Sequence, residues 1–134
     1  MKYLRPKPLD SLGTLRNRAI VELLLSTTAT ASQIAVMQVQ DYQRVGGRAL
    51  VRLMAEGVER IEPVDGPLAT YLDEYIAAAR IGHEPTTLLF RYLRADKISR
   101  LGMNSSHVSL ILARARLSKA RVSDVGIQNR RRTG

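Results

Sequence analysis

The spacing of the apolar residues changes twice along this chain. Up to about Gln40 they recur at helical intervals, whereas Ala49, Val51 and Leu53 alternate with residues of the opposite face, which is typical of a half-buried strand. After Gly66 the helical spacing returns. The sequence therefore predicts an α+β fold, mostly α-helical, in which helices pack around a small antiparallel β-sheet at residues 42–62.

Capping and breaking residues mark the ends of the predicted elements. Thr14 is predicted to cap a helix through Ser26, and Ser32 a second helix through Gln40. A third helix is predicted over residues 67–80 with Gly82 at its end, and a fourth from about Ser105. The predicted breaks are Pro6, Pro8 and Gly13 in an extended segment 1–13, the turns Gly46-Gly47 and Ala55-Glu56-Gly57, and Pro63, which ends the returning strand 58–62. The run Leu88-Leu89-Phe90 is predicted to be buried, in a helix or a strand.

The net charge of +9 lies entirely in the last third of the chain. Residues 1–90 hold ten basic and ten acidic side chains, whereas residues 91–134 hold eleven basic residues and only two acidic ones, Asp96 and Asp124. Seventeen of the 21 basic residues are arginines, which form bidentate contacts with phosphate. A basic segment on a neutral body indicates a polyanionic partner, and nucleic acid fits best.

Several classes of function are disfavoured by what the sequence lacks. It has no cysteine, so disulfides, thiol nucleophiles and Cys-based zinc sites are excluded. Two isolated histidines, His83 and His107, predict no metal site, and no glycine-rich fingerprint predicts a nucleotide cofactor. No apolar run is long enough to span a membrane and no secretory signal is recognisable, so a cytoplasmic protein without cofactors is expected.

An ordered set of short motifs carries a resemblance to a known family. Arg16-Asn17-Arg18-Ala19 and an apolar helix precede the run 28–34, and Met37 and Asp41 follow. Later motifs, in order, are Glu59-Arg60 with Pro63 on the hairpin, Leu89-Phe90, a helix from Ser105 and Gly126-Ile127. This order resembles the catalytic domain of tyrosine recombinases, the phage-integrase family. It implies a single domain of that fold at residues 14–134, incomplete at its C-terminus, behind the segment 1–13.

The resemblance also implies where catalytic residues belong. The family cleaves DNA with a tyrosine nucleophile, and two arginines, a lysine and a histidine stabilise the charge on the phosphoryl oxygens. The first arginine position falls at Thr30, the lysine position at Ala55, and the His-x-x-Arg box at Gln128 and Arg131. Only Arg131 matches, and the tyrosine position has no counterpart before Gly134. The catalytic site is thus predicted not to be intact, and the protein to bind DNA without cleaving it.

The predicted DNA contacts are basic side chains of the last third and of the hairpin. They are Arg114, Arg116, Lys119, Arg121, Arg130, Arg131 and Arg132, together with Arg48 and Arg52. Six to ten phosphate contacts make affinity fall by about 10³–10⁵ between 50 and 200 mM salt. Double-stranded DNA and another recombinase subunit are the predicted partners.

Two other functions remain open from the sequence. The chain could be a protein-interaction module that regulates an active recombinase, which an exposed apolar groove near the last helix would favour. It could also be a fragment of a decayed or truncated integrase, although truncation does not explain internal residues such as Thr30 and Ala55. A base-stacking RNA-binding surface is disfavoured by the aromatic content of 4%.

Overall fold

The computed structural model describes residues 11–64 and 66–118, which form four helices and two antiparallel sheets. The helices are α1 (Leu12–Ser26), α2 (Ala31–Ala35), α3 (Gly66–Ala79) and α4 (105–118). The first sheet has the order β1 (Tyr42–Val45), β2 (Arg48–Ala55), β3 (Val58–Val64), and the second pairs β4 (Arg91–Arg94) with β5 (Lys97–Gly102). This arrangement confirms the predicted α+β class. Within the described ranges, no helix is both long and apolar enough to cross a membrane.

One continuous cluster of buried side chains joins α1, α3, α4 and the inner face of the first sheet. The alternation in β2 buries Ala49, Val51 and Leu53, as predicted. Tyr75 of α3 is fully buried and its ring stacks on Phe90 with centroids 5.5 Å apart. The Tyr75 hydroxyl donates a hydrogen bond to the Leu89 carbonyl at 2.7 Å. The shared core therefore packs one end of each sheet against helices α1 and α3.

Helix α1 begins earlier than predicted. Ser11 is its N-cap, because the Ser11 hydroxyl accepts a hydrogen bond from the Thr14 backbone N–H at 3.1 Å. Gly13 lies inside the first turn, so the prediction of extended chain up to residue 13 is wrong for Leu12 and Gly13. Serine is as good a cap as threonine, and a single glycine costs too little to move a helix start whose cap is satisfied.

Helix α2 is shorter than predicted, and its cap is not Ser32. Thr30 caps it in a reciprocal arrangement with Gln33, and the helix ends at Ala35. The chain then enters a 3-10 turn at Val39–Asp41, where the Asp41 carboxylate accepts the Gln38 N–H at 2.8 Å. This side chain supplies the backbone with a partner outside the helix, so the helix does not continue to Gln40.

The first sheet is confirmed, including both predicted turns, but β3 does not end at Pro63. It continues to Val64, with Pro63 opposite Leu50. Since β3 is an edge strand, the missing N–H of proline removes no ladder hydrogen bond that the sheet needs.

Helix α3 ends at Ala79, one residue before the predicted end, and Arg80 rather than Gly82 is the residue that terminates it. Arg80 has a φ of 60°, and the N–H of Ile81 donates to the carbonyl of Ile76 while the N–H of Arg80 donates to that of Ala77. These two bonds form a Schellman cap, and the buried Ile81 supplies its apolar contact. A glycine is the usual residue at this position, so an arginine there is not predictable from local sequence.

Replacing Arg80 with glycine is expected to stabilise the protein by about 1 kcal/mol, because a non-glycine residue in the left-handed region carries a cost of that order. Gly82→Ala is the matched control. The added methyl would lie 3.5 Å from an Ile76 methyl, which is ordinary contact. Urea unfolding of both variants tests the assignment: equal or lower stability for Arg80→Gly would contradict it.

The hairpin of β4 and β5 is absent from the predictions. Leu88, in the predicted buried run, forms a bridge to Gln38, and Leu89 N–H donates to the Met37 carbonyl at 2.8 Å. The two-residue turn between the strands is Ala95-Asp96, both with positive φ. Turns of this kind usually contain Asn-Gly or Asp-Gly, so a turn at Ala95-Asp96 is not predictable from the sequence.

Candidate nucleic-acid interface

The side chain of Thr30 is occupied by its own helix. Its hydroxyl oxygen accepts the Gln33 N–H at 3.2 Å, and the Gln33 side-chain oxygen accepts the Thr30 N–H at 2.9 Å. A residue in this role offers no positive charge to a phosphate. The position assigned by resemblance to the first arginine is therefore a helix cap here.

Ala55 lies close to that cap, at the exposed end of β2 beside the Glu56-Gly57 turn. The Gln33 amide nitrogen donates to the Met54 carbonyl at 3.4 Å, which brings the start of α2 beside the end of β2. The start of α2 and the end of β2 are therefore neighbours. Neither Thr30 nor Ala55 carries a cation that could stabilise charge on a phosphate or an acid that could protonate its leaving oxygen.

A carboxylate lies beside the chain segment that leads into α2. Glu62 of β3 accepts the Thr28 N–H at 3.2 Å and the Thr28 hydroxyl, and Arg60 donates to the same hydroxyl oxygen at 3.1 Å. The Arg60 guanidinium is also 4.0 Å from the Glu62 carboxylate, so the two charges largely cancel and offer little attraction to a phosphate. Local sequence does not signal this carboxylate, because Glu62 comes to lie opposite the buried Val51 only once β3 pairs with β2.

The arginines of the first sheet, with one exception, are paired with carboxylates. Arg44 pairs with Asp73, and Arg52 lies 2.8 Å from the buried Asp41 and 3.3 Å from Glu59. Donating hydrogen bonds to the Asp41 and Glu59 carboxylates raises the pKa of Arg52. Arg52, a predicted DNA contact, is thus engaged in holding β2 to the 3-10 turn. Arg48 is exposed and, among the described residues, has no carboxylate partner.

The basic residues from β4 onward are arranged differently. Residues 91–118 hold six basic side chains and one acidic one, Asp96. Arg91 is buried and bonded to Glu84. The other five are exposed and have no carboxylate partner within the part of the chain that the structure describes: Arg94, Lys97, Arg100, Arg114 and Arg116. Arg94, Lys97 and Arg100 are not among the predicted DNA contacts, because the β4–β5 hairpin that carries them is not predicted from the sequence.

The two predicted contacts on α4 lie on different sides of the helix. Arg114 lines a cleft of about 530 Å³ between α4, α1 and Tyr71 of α3. Arg116 is two residues further on, so it is rotated by about 200° from Arg114. The remaining predicted contacts and the His-x-x-Arg box lie outside the described residues: Lys119, Arg121, Gln128, Arg130, Arg131 and Arg132.

Comparison with known proteins gives sequence relatives for this chain. No protein-family model matches the sequence. The tyrosine recombinase XerD of Mycobacterium tuberculosis is 35% identical over 99 residues, which cover 70% of this chain and 31% of XerD. The tyrosine recombinase XerC of Pelobacter propionicus is 34% identical over 87 residues, covering 64% of this chain and 28% of XerC. This chain is tyrosine-recombinase-like.

The tyrosine-recombinase-like sequence spans less than a third of the length of either relative. Thr30 and Ala55 occupy the two described positions that the resemblance assigns to catalytic cations, and the exposed, unpaired basic residues of 91–118 lie on the β4–β5 hairpin and α4. No group of three or more histidines, aspartates and glutamates that could hold a metal ion occurs in residues 11–64 and 66–118.

Proposed function

We propose that this tyrosine-recombinase-like chain binds double-stranded DNA in a recombination-related role and does not cleave it. The observation that carries the proposal is the contrast in charge pairing. Arginines of the first sheet are largely neutralised by carboxylates, whereas Arg94, Lys97, Arg100, Arg114 and Arg116 are exposed and unneutralised among the described residues. Exposed cations without carboxylate partners are the electrostatic feature of phosphate binding.

The absence of cleavage is proposed from the site at α2 and β2. Removing one donor to the reacting oxygens commonly costs about 2.7–4 kcal/mol of transition-state stabilisation. Here the uncharged side chains of Thr30 and Ala55 replace two cations. These effects act in the same direction, so chemistry at this site is suppressed even if duplex DNA is bound beside it.

Titration of a labelled duplex by fluorescence anisotropy at several salt concentrations tests the DNA proposal. Five phosphate contacts give a log–log slope of affinity against salt of about −4.5, at about 0.9 per contact. Substituting Arg114 and Arg116 with glutamine should reduce the slope by up to about 1.8. No binding even at 50 mM salt would contradict the proposal.

Incubation with a nicked duplex, which traps covalent intermediates of strand cleavage, tests the proposal that the chain does not cleave DNA. We expect no protein–DNA adduct on a denaturing gel, with an active tyrosine recombinase as the positive control. An adduct that resists detergent would contradict the proposal that this chain does not cleave DNA.

The cleft beside α4 supports a second candidate function, a module that binds another recombinase subunit. Val21, Tyr71, Ile111 and Ala115 give it an apolar lining, with Glu22 and Arg114 at its sides. The two candidates differ in one observable: an interaction module associates with the recombinase subunit without DNA, whereas a DNA-binding protein associates with it only on a shared duplex.

A further inference from the structure

We infer that the tip of the β4–β5 hairpin, residues 94–97, binds the DNA phosphate backbone, with Arg94 and Lys97 acting as a pair. The inference rests on the proposed function and names a contact element within it. The two residues close the hairpin and are directly opposite each other in the ladder. Directly opposed residues have Cβ atoms about 5 Å apart on the same face, so both side chains can reach one phosphate or two neighbouring phosphates.

The tip is built at the expense of local stability. Like charges directly opposite each other in a β-ladder are destabilising. Ala95 and Asp96 adopt φ values of 53° and 60°, a conformation that non-glycine residues disfavour. Asp96 does not offset the repulsion, since neither cation has a carboxylate within ion-pair distance among the described residues. Local rules broken together in one place are characteristic of a binding site.

The base of the hairpin is anchored, so the tip is presented on a fixed support. Buried Arg91 donates to the carbonyls of Leu88 at 2.7 Å and Ser99 at 3.3 Å. The Tyr92 ring meets the His107 ring of α4 edge-on, with centroids 5.1 Å apart. A two-stranded hairpin alone is marginally stable, and these contacts supply what it lacks. Positive charges on a rigid support lose less conformational freedom on binding than charges on a mobile loop.

The contact is expected to be independent of base sequence. Arg94 and Lys97 lie on a short two-residue turn with no aromatic or amide side chain beside them at the tip. Phosphate contacts position a protein on a duplex without reading its bases. Arg100, exposed on β5 of the same hairpin, adds a third positive charge near the base.

The test compares the double variant Arg94→Gln/Lys97→Gln with the full chain on two duplexes of unrelated sequence. We expect the slope of log affinity against log salt to fall by about 1.8, equally on both duplexes. The matched control is Arg44→Gln/Arg80→Gln, which removes the same charge from the Arg44–Asp73 pair and from the end of α3, and should leave the slope unchanged. Circular dichroism establishes that every variant is folded.

The possible outcomes distinguish a failure of the hairpin-tip inference from a failure of the proposed DNA-binding function. An unchanged slope in the tip variant, with a salt-dependent full chain, overturns the inference and leaves DNA binding in place. An equal loss in both double variants also overturns it, because the effect then follows net charge rather than position. No binding by the full chain refutes the proposed function itself.

Discussion

Replacing Arg91 with alanine is expected to lower the free energy of unfolding by about 3 kcal/mol. The side chain is buried, with 6% of its surface exposed, and its guanidinium donates to four acceptors on two segments, the loop 84–88 and β5. They are the carbonyls of Leu88 and Ser99, the Thr87 hydroxyl at 2.8 Å and the Glu84 carboxylate at 3.0 Å. The value lies at the lower end for a broken buried pair because the Glu84 side chain is 37% exposed and can be hydrated.

Arg94→Ala is the control for Arg91, since both arginines are on β4 but Arg94 is exposed and unpaired among the described residues. In the control, the free energy of unfolding, measured by urea denaturation followed by circular dichroism, should change by less than about 0.5 kcal/mol. Arg91→Lys keeps the charge but cannot reach acceptors in several directions, so it should restore only part of the loss. Equal stabilities of the two alanine variants would contradict the assigned role.

The ion pair between Arg91 and Glu84 also makes the stability of the fold depend on pH in the acid range. Hydrogen bonding from Arg91 holds the pKa of Glu84 below its usual value. A carboxyl group with a lowered pKa in the folded state stabilises the protein above its unfolded pKa, and this stabilisation is lost as pH falls through the folded pKa. In Arg91→Ala this part of the pH dependence should disappear.

Replacing Tyr75 with alanine is expected to cost about 3–5 kcal/mol, the range for removing a large aromatic ring from a core. The ring is fully buried and stacks on Phe90 at an interplanar angle of 14°. Tyr75→Phe keeps the stacking and removes only the bond to the Leu89 carbonyl, so about 1 kcal/mol should be lost. A cost below 1 kcal/mol for the alanine variant, measured by urea unfolding, would contradict this packing.

Tyr71 and high pH provide the controls for Tyr75. Tyr71→Ala on the same helix should cost less, because its half-buried ring faces the Arg18 guanidinium at the surface. Burial raises the pKa of Tyr75 to about 12. A raised folded pKa gives stability that is complete below about pH 10 and is lost as pH rises toward 12. Tyr75→Phe should reduce this alkaline loss only in part, since burial also raises the pKa of Tyr42 to about 12.

The elements that the sequence predicts well are those with a strong period. Alternation in β2 identifies both the strand and its buried face, and Leu68, Leu72 and Tyr75 identify α3. The β4–β5 hairpin has neither a clear alternation nor a glycine at its turn. Its anchor, Arg91, resembles any surface arginine in the sequence, because its four acceptors become neighbours only after folding.

The sequence assigns positions to the candidate site, which stay a prediction, and it does not indicate their environment. The resemblance to tyrosine recombinases places Thr30 and Ala55, and the structure brings the start of α2 and the end of β2 together. Which cations are neutralised depends on pairs such as Arg52 with Asp41 and Arg44 with Asp73, eleven and 29 residues apart. Local patterns do not contain that information, so Arg52 and Arg116 are indistinguishable before folding.

Ionic strength should therefore affect the two charged regions in opposite ways. In the first sheet, added salt screens the attraction between arginines and carboxylates. At the hairpin tip it screens the repulsion between Arg94 and Lys97, which relieves the free protein. The repulsion between Arg94 and Lys97 in the free protein is therefore strongest in dilute buffer. A bound polyanion would reduce this repulsion most under the same condition.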